Sequence, residues 1–135
     1  MKRNRQLFLV FLIAASFISC EENSLIIDPA DNLYGVWIYE SSDSNFVIMK
    51  KAQNFDESKP GFSINKEGKF IERKNSGWCG TPPISYSNYE GEWNKKSDEL
   101  FEVSVGYWGG IEQYQIKIIS LTEIELRYSR LQISN

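Results

Sequence analysis

The chain has 135 residues, of which 41% are hydrophobic and 24% are charged, a balance typical of one globular domain. It contains no histidine, which excludes Ser-His-Asp and Cys-His catalysis and the histidine-bearing zinc sites. The formal net charge of −3 argues against a nucleic-acid binder, because such proteins need an excess of basic residues to neutralise phosphates.

The first residues have the pattern of a secretory leader. Lys2, Arg3 and Arg5 form a basic start, and an unbroken run of apolar and small residues, Leu7–Phe17, follows. As a helix this run would be about 17 Å long, whereas the hydrocarbon core of a bilayer is about 30 Å thick. The run is therefore too short for a permanent membrane span, and residues 1–19 are predicted to be a signal peptide.

The end of the leader, Phe17-Ile18-Ser19-Cys20, resembles the lipobox of bacterial lipoproteins. The resemblance implies that Cys20 becomes the first residue of the mature chain and carries acyl groups such as palmitate, which anchor it to a membrane. The acidic pair Glu21-Glu22 resembles the tags that export lipoproteins in Bacteroidetes-type envelopes, so the expected location is the outer membrane of a bacterial cell envelope. The alternative is an ordinary secretory signal followed by a coincidental cysteine.

The charge of the mature chain bears on how it would be held at a membrane. Without residues 1–19 the chain holds 12 Lys and Arg against 18 Asp and Glu, a net charge of −6. Such a surface repels anionic lipid headgroups and nucleic acid, so the acyl groups would hold the protein at the membrane. Residues 20–32 contain Pro29 and several turn-forming residues and are predicted to be a tether, and residues 33–135 are the predicted domain.

From Leu33 onward the hydrophobic pattern has period 2, which is typical of strands with one buried face. Eight strands are predicted, at Gly35–Glu40, Phe46–Lys51, Gly61–Asn65, Lys69–Lys74, Tyr89–Asn94, Leu100–Tyr107, Ile111–Ser120 and Glu123–Arg130. Most links between them are short, which favours antiparallel neighbours, and closure removes the two exposed edges of such a sheet. The predicted fold is all-β, an eight-stranded antiparallel up-and-down barrel, with a flattened β-sandwich as the alternative.

The segment Leu33-Tyr34-Gly35-Val36-Trp37 resembles the Gly-x-Trp opening strand of lipocalins and of small bacterial lipocalin-like lipoproteins. The resemblance covers roughly residues 33–131 and implies that Trp37 closes one end of the barrel against an arginine from the last strand. Arg130 shares a face with Ile124, Leu126 and Tyr128, which are expected to point inward, so we expect its guanidinium to lie within about 6 Å of the Trp37 ring as a cation–π pair.

Two predicted connections, Ala52–Pro60 and Lys74–Asn88, are longer than the others, and long ordered loops often carry function. Aromatic residues collect around the second connection and the turn Tyr107–Gly110. If both segments meet at one barrel mouth, they form a candidate portal for a small apolar or carbohydrate ligand, made by Trp78, Cys79, Tyr86, Tyr107 and Trp108. The alternative is a lid of aromatic side chains over a filled barrel, which an eight-stranded barrel also permits.

Cys79 has no partner for a disulfide if Cys20 is acylated, so it is expected to be a free thiol. One interpretation is a redox or nucleophilic cysteine whose pKa is lowered by Lys74, the nearest cation in the sequence. The other is a small apolar residue packed under a rigid Gly/Pro loop.

No Asp-x-Asp-x-Asp-Gly loop and no carboxylate pair with distinct environments is present in the sequence, so no metal, no cofactor and no catalytic residue are predicted. The expected function is that of a non-enzymatic envelope lipoprotein whose barrel binds a small apolar ligand or a partner. A structural envelope protein that acts through its loops is the second hypothesis, and an enzyme that depends on Cys79 is the third.

Overall fold

The computed structural model describes residues 29–133, so the predicted signal peptide 1–19 and the acylation site Cys20 lie outside the described residues. A short 3-10 helix, Pro29–Leu33, is followed by eight strands. The strands are β1 Gly35–Ser42, β2 Val47–Ala52, β3 Gly61–Ile64, β4 Lys69–Asn75, β5 Tyr86–Lys95, β6 Leu100–Tyr107, β7 Gly110–Leu121 and β8 Glu125–Gln132.

The eight strands close into one antiparallel barrel, which confirms the fold class and excludes the sandwich; the architecture is consistent with a lipocalin-like barrel. Most strand bounds lie within two residues of the prediction. The largest difference is the start of β5, which lies at Tyr86 and not at Tyr89. The first residues of this strand, 86–90, pair with β4 but not with β6. The long connection before β5 is therefore shorter than predicted and covers residues 76–85.

The strand order departs from a simple meander at one place. Strands β3 to β8 are successive neighbours, but β1 lies between β2 and β3, and β2 pairs with β8. The segment 53–60 therefore carries the chain from one side of β1 to the other, which accounts for its length. Its last residue continues the pairing, because the Tyr39 backbone N–H donates to the Pro60 carbonyl at 3.0 Å.

Large rings fill the barrel. Trp37 and Phe70 are fully buried, and ring pairs such as Phe62–Phe70 (5.2 Å) and Trp93–Phe101 (5.4 Å) pack across the interior. The core cluster consists of Leu33, Trp37, Met49, Phe62, Ile64, Phe70, Trp93, Phe101, Val103, Val105, Tyr114, Ile116 and Leu126. Each of these strand residues lies on the face that the alternation predicts to be inward.

The two ends of the barrel are built differently. The N-terminal end carries the 3-10 helix and the tight turns 65–68, 96–99 and 122–124, as the strand register requires. The opposite end, called the loop end here, carries the segments 43–46, 76–85 and 108–109.

The N-terminal segment is fixed to the barrel by hydrogen bonds to three successive carbonyls. The Trp37 indole N–H donates to the Leu33 carbonyl at 2.7 Å, and the Lys51 ammonium donates to the Asn32 and Tyr34 carbonyls. Gly35, with φ of +123°, lies under the Lys51 side chain, where a Cβ would meet Lys51 Cε at 3.0 Å. The end of the predicted tether is therefore part of the folded domain.

The expected pairing of Trp37 with Arg130 does not occur. The cation over the Trp37 ring is Lys51, 4.5 Å from the centroid, whereas Arg130 lies 3.6 Å from the centroid of Tyr114. The sequence alternation predicted an inward Arg130. The cation on Trp37 comes instead from β2, the neighbouring strand of β1, because Lys51 on β2 lies directly opposite Trp37.

Replacement of Lys51 by Met should lower the free energy of unfolding by about 1 to 3 kcal/mol, because it leaves two carbonyls without a charged donor and removes the cation from the indole. Denaturant unfolding followed by tryptophan fluorescence measures the change. Lys50→Met is the matched control: Lys50 pairs with Glu125 at the surface, so its loss should cost about 1 kcal/mol or less. Equal losses in the two variants would contradict the fixing role of Lys51.

Candidate functional site

Four charged side chains lie on the inner face of the barrel near the loop end. Glu72 and Lys74 follow the buried Phe70 at intervals of two along β4, so they share its inward face. Glu112 precedes the buried Tyr114 on β7, and Arg130 follows Tyr128 on β8. We call these four residues the charge ring: Glu72, Lys74, Glu112 and Arg130.

Each cation of the ring contacts both carboxylates. The Lys74 ammonium lies 2.9 Å from Glu72 Oε2 and also binds Glu112 Oε1, while Arg130 lies 2.7 Å from Glu112 Oε2 and 3.5 Å from Glu72 Oε1. The Glu72 and Lys74 side chains are 13% and 18% exposed. The Glu112 and Arg130 side chains are 32% and 33% exposed. Because every charge has two opposite neighbours, the cost of partly removing these groups from water is offset, and the ring is electrically neutral.

Tyrosines surround the ring. Arg130 stacks on Tyr114, and the Lys74 ammonium lies 5.6 Å and 6.0 Å from the rings of Tyr89 and Tyr107. Burial raises the pKa of Tyr114 above its ordinary value, and the Glu72 carboxylate raises it further. Burial, again with a contribution from Glu72, raises the pKa of Tyr128 to about 12. Both phenols therefore stay neutral at physiological pH.

The interior leaves little space for a ligand. A cavity beside the ring has a volume of about 80 Å³, and its walls include Tyr39, Met49, Phe62, Glu72 and Tyr128. Ligand sites in proteins usually have volumes of about 300–1,000 Å³. A larger depression, about 640 Å³, lies on the outer face near Glu67, Glu90 and Glu92, where Lys69 already pairs with Glu90 at 3.2 Å.

The predicted portal residues all lie at the loop end, where Tyr107 faces the interior of the barrel, whereas Trp78, Cys79 and Trp108 are exposed to solvent. Trp78 is 80% exposed in the segment 76–85, and Trp108 is 55% exposed in the β6–β7 turn, where it contacts Tyr107 at 5.7 Å. Tyr107 is half-buried and faces Lys74, and Tyr86 is half-buried at the start of β5, opposite Asn75. Trp78, Ile84, Trp108 and Ile111 are the exposed large apolar residues of these two segments at the loop end, and we call the four together the hydrophobic rim.

Cys79 is an exposed free thiol, so the expectation that it is packed under the loop is wrong. Hydrogen bonds from the backbone and side chain of Thr81 lower the pKa of the Cys79 thiol. Lys74 does not supply this effect, because its ammonium is held inside the barrel by Glu72 and Glu112. The loop itself is held by the Asn75 amide, which donates to the Cys79 carbonyl at 2.7 Å.

Sequence reasoning did not predict the charge ring. One sequence signal for it existed. Glu72 and Lys74 follow Phe70 at intervals of two, so the alternation on β4 predicts that this charged pair faces inward. Within residues 29–133 no group of three or more Cys, Asp and Glu side chains is placed to hold a metal ion. The same part of the chain has no helix with the length and apolar character that crossing a membrane requires.

Comparison with known proteins found no match to a family model, to a curated protein or to a solved structure. The class of the chain therefore rests on its own structure: an all-β protein with one closed eight-stranded antiparallel barrel. The features of this structure that bear on function are the filled interior, the charge ring and the hydrophobic rim.

The raised pKa of Tyr128 predicts a loss of stability in alkali. The pKa is about 12 in the folded chain and 10 for a free phenol. The contribution of the neutral phenol to the free energy of unfolding is therefore fully present below pH 10 and is lost as the pH rises toward 12. Tyr128→Phe should weaken this pH dependence, measured as the denaturation midpoint across that interval. Tyr86→Phe changes a ring on the outward face and is the control; an equal effect of both would contradict the prediction.

Proposed function

We propose that this chain is a lipid-anchored protein of a bacterial cell envelope, held by Cys20, whose barrel binds a partner protein through the hydrophobic rim without catalysing a reaction. The observation that carries the proposal is the combination of a filled interior with two exposed tryptophans at one end. Of the hypotheses that the sequence left open, the filled barrel that acts through its loops is favoured over a small apolar ligand held inside the barrel at the loop end, because the cavity beside the charge ring, about 80 Å³, is too small for such a ligand.

The chemistry of the rim supports a protein partner. Residues 76–85 and 107–111 contain no Lys, Arg, Asp or Glu, although 24% of the whole chain is charged. The centres of protein–protein interfaces are depleted in charged residues and enriched in aromatic ones, and tryptophan is the side chain most often found at energetic hot spots. A surface of this composition favours contact with an apolar patch of another protein.

The direction of the barrel supports an anchored role. The described chain enters at the N-terminal end, and the rim lies at the opposite end. An acylated Cys20 upstream of Pro29 would therefore put the N-terminal end toward the membrane and the rim away from it. The lipobox and the Gly-x-Trp segment, which resemble those of small bacterial lipocalin-like lipoproteins, are the sequence features that support this assignment, and the outer membrane is the proposed location.

The anchor is tested by Cys20→Ser, which should move the protein from the membrane fraction to the soluble fraction of cells and remove the added mass of the acyl groups. Cys79→Ser is the matched control, because it removes the other cysteine and should leave the protein in the membrane fraction. Cell fractionation measures the location of each variant, and intact-mass measurement detects the acyl groups. A Cys20→Ser protein that stays membrane-bound would contradict the proposed anchor.

The rim is tested by the double variant Trp78→Ala, Trp108→Ala, combined with cross-linking in intact cells and identification of the cross-linked protein. Each lost hot-spot contact costs about 2 kcal/mol or more, so capture of the partner should fall by at least about tenfold. Ile124→Ala is the control, since Ile124 is 68% exposed in the segment 122–124 at the N-terminal end. Equal capture by the rim variant and the control would overturn the proposal, and so would native mass spectrometry that shows a retained small molecule.

A further inference from the structure

At the loop end, β5 extends past its neighbour β6. Residues 86–90 pair with β4 but not with β6, because the β5–β6 pairing begins at Gly91 with Val105. Beyond Val105, β6 continues only to Tyr107 before the chain turns into β7. Among residues 29–133, the first part of β5 therefore has a neighbouring strand on one side only.

The backbone groups on the open side belong to Tyr86 and Asn88. The Trp93 N–H donates at 3.0 Å to a carbonyl in the turn that leads into β4, so the odd-numbered residues of β5 direct their N–H and C=O groups toward β4. The even-numbered residues direct theirs to the other side, and the Glu90 carbonyl does lie there, because a Cβ on Gly106 of β6 would be 3.6 Å from its oxygen. We call the open side of residues 86–88 the β5 edge.

The β5 edge lies between the two segments that carry the hydrophobic rim, and it lacks the usual protection of exposed edges. Proteins commonly guard an open edge with charged side chains or with a proline in the strand. Residues 75–89 contain no Lys, Arg, Asp or Glu, and their two prolines precede the strand. The exposed Asn88 side chain is directed over β4, where Arg73 donates to its Oδ1 at 3.0 Å.

We infer that the partner of the rim binds as an extended segment that adds a strand to the β5 edge. The inference rests on the proposed function and names the chemistry of the partner. Only an extended chain presents N–H and C=O groups at the spacing of those on Tyr86 and Asn88. Its side chains would be uncharged or apolar where they meet the rim, because residues 76–85 and 107–111 offer no charge to pair with.

Amide hydrogen exchange tests the edge in the purified protein. In the free chain, the amides of Tyr86 and Asn88 should exchange at least about tenfold faster than those of Ser87 and Tyr89, which face β4. The probe is a soluble, capped peptide of alternating threonine and valine, which should slow exchange at Tyr86 and Asn88. Its control is the same peptide N-methylated at every residue, which cannot donate hydrogen bonds from its backbone. Equal exchange at the four positions, or slowing by neither or by both peptides, would overturn the inference.

A pair of variants separates this inference from the proposed function. Asn88→Pro removes a donor of the β5 edge and no donor to β4, and proline is tolerated at strand edges. Asn88→Ala, the matched control, removes the same side chain and keeps the N–H. In the cell cross-linking experiment, capture of the partner by Asn88→Pro should be about tenfold lower than by Asn88→Ala.

The outcomes of the cross-linking experiment are distinct. Equal capture by the two Asn88 variants, with capture lost in Trp78→Ala, Trp108→Ala, would overturn the added strand and leave the proposed function standing. Equal capture by all of these variants would overturn both. A dimer of the chain that Asn88→Pro dissociates would assign the β5 edge to a second copy and also overturn the inference. If the proline variant does not fold, the amide exchange decides.

Discussion

The width of an eight-stranded barrel limits what this protein can hold inside. Such a barrel is just wide enough to be filled by side chains or to enclose one small ligand, and here aromatic rings fill it. Trp37 and Phe70 have no exposed surface, and the cavity beside the charge ring measures only about 80 Å³. Any binding of a larger molecule must therefore use the ends or the outer surface, which is why the hydrophobic rim, and not the barrel interior, carries the proposed function.

The loop end reverses the usual distribution of polar and apolar groups. Four charges lie on the inner face of the strands, whereas two tryptophans and two isoleucines face solvent. Removal of one member of a partly buried ion network leaves another charge uncompensated, so the ring holds β4, β7 and β8 in one fixed arrangement at this end. The exposed apolar rim has no such structural role among residues 29–133, and contact with a partner protein is the role proposed for it.

Some expectations failed for a common reason. Trp37 and Arg130 were expected to meet because both lie on inward faces, yet Lys51 on the neighbouring strand is directly opposite Trp37. Cys79 was expected to be buried because it lies among Gly and Pro, yet it lies exposed in a surface loop. In both cases the local sequence was known, but the tertiary surroundings of the side chain were not. The strand bounds succeeded because they depend only on local alternation and turns.

The sequence by itself determined the elements: the alternation from Leu33 onward specifies which residues form strands and which face of each strand is inward, since side chains point to opposite faces with period 2. The leader and the acylation of Cys20 are predictions from the sequence that fall outside the described residues. Only the tertiary structure decided the position of β1 between β2 and β3 and the meeting of Glu72 and Lys74 with Glu112 and Arg130. These depend on strand order and on the stagger at closure, which join residues far apart in the chain and leave no local pattern.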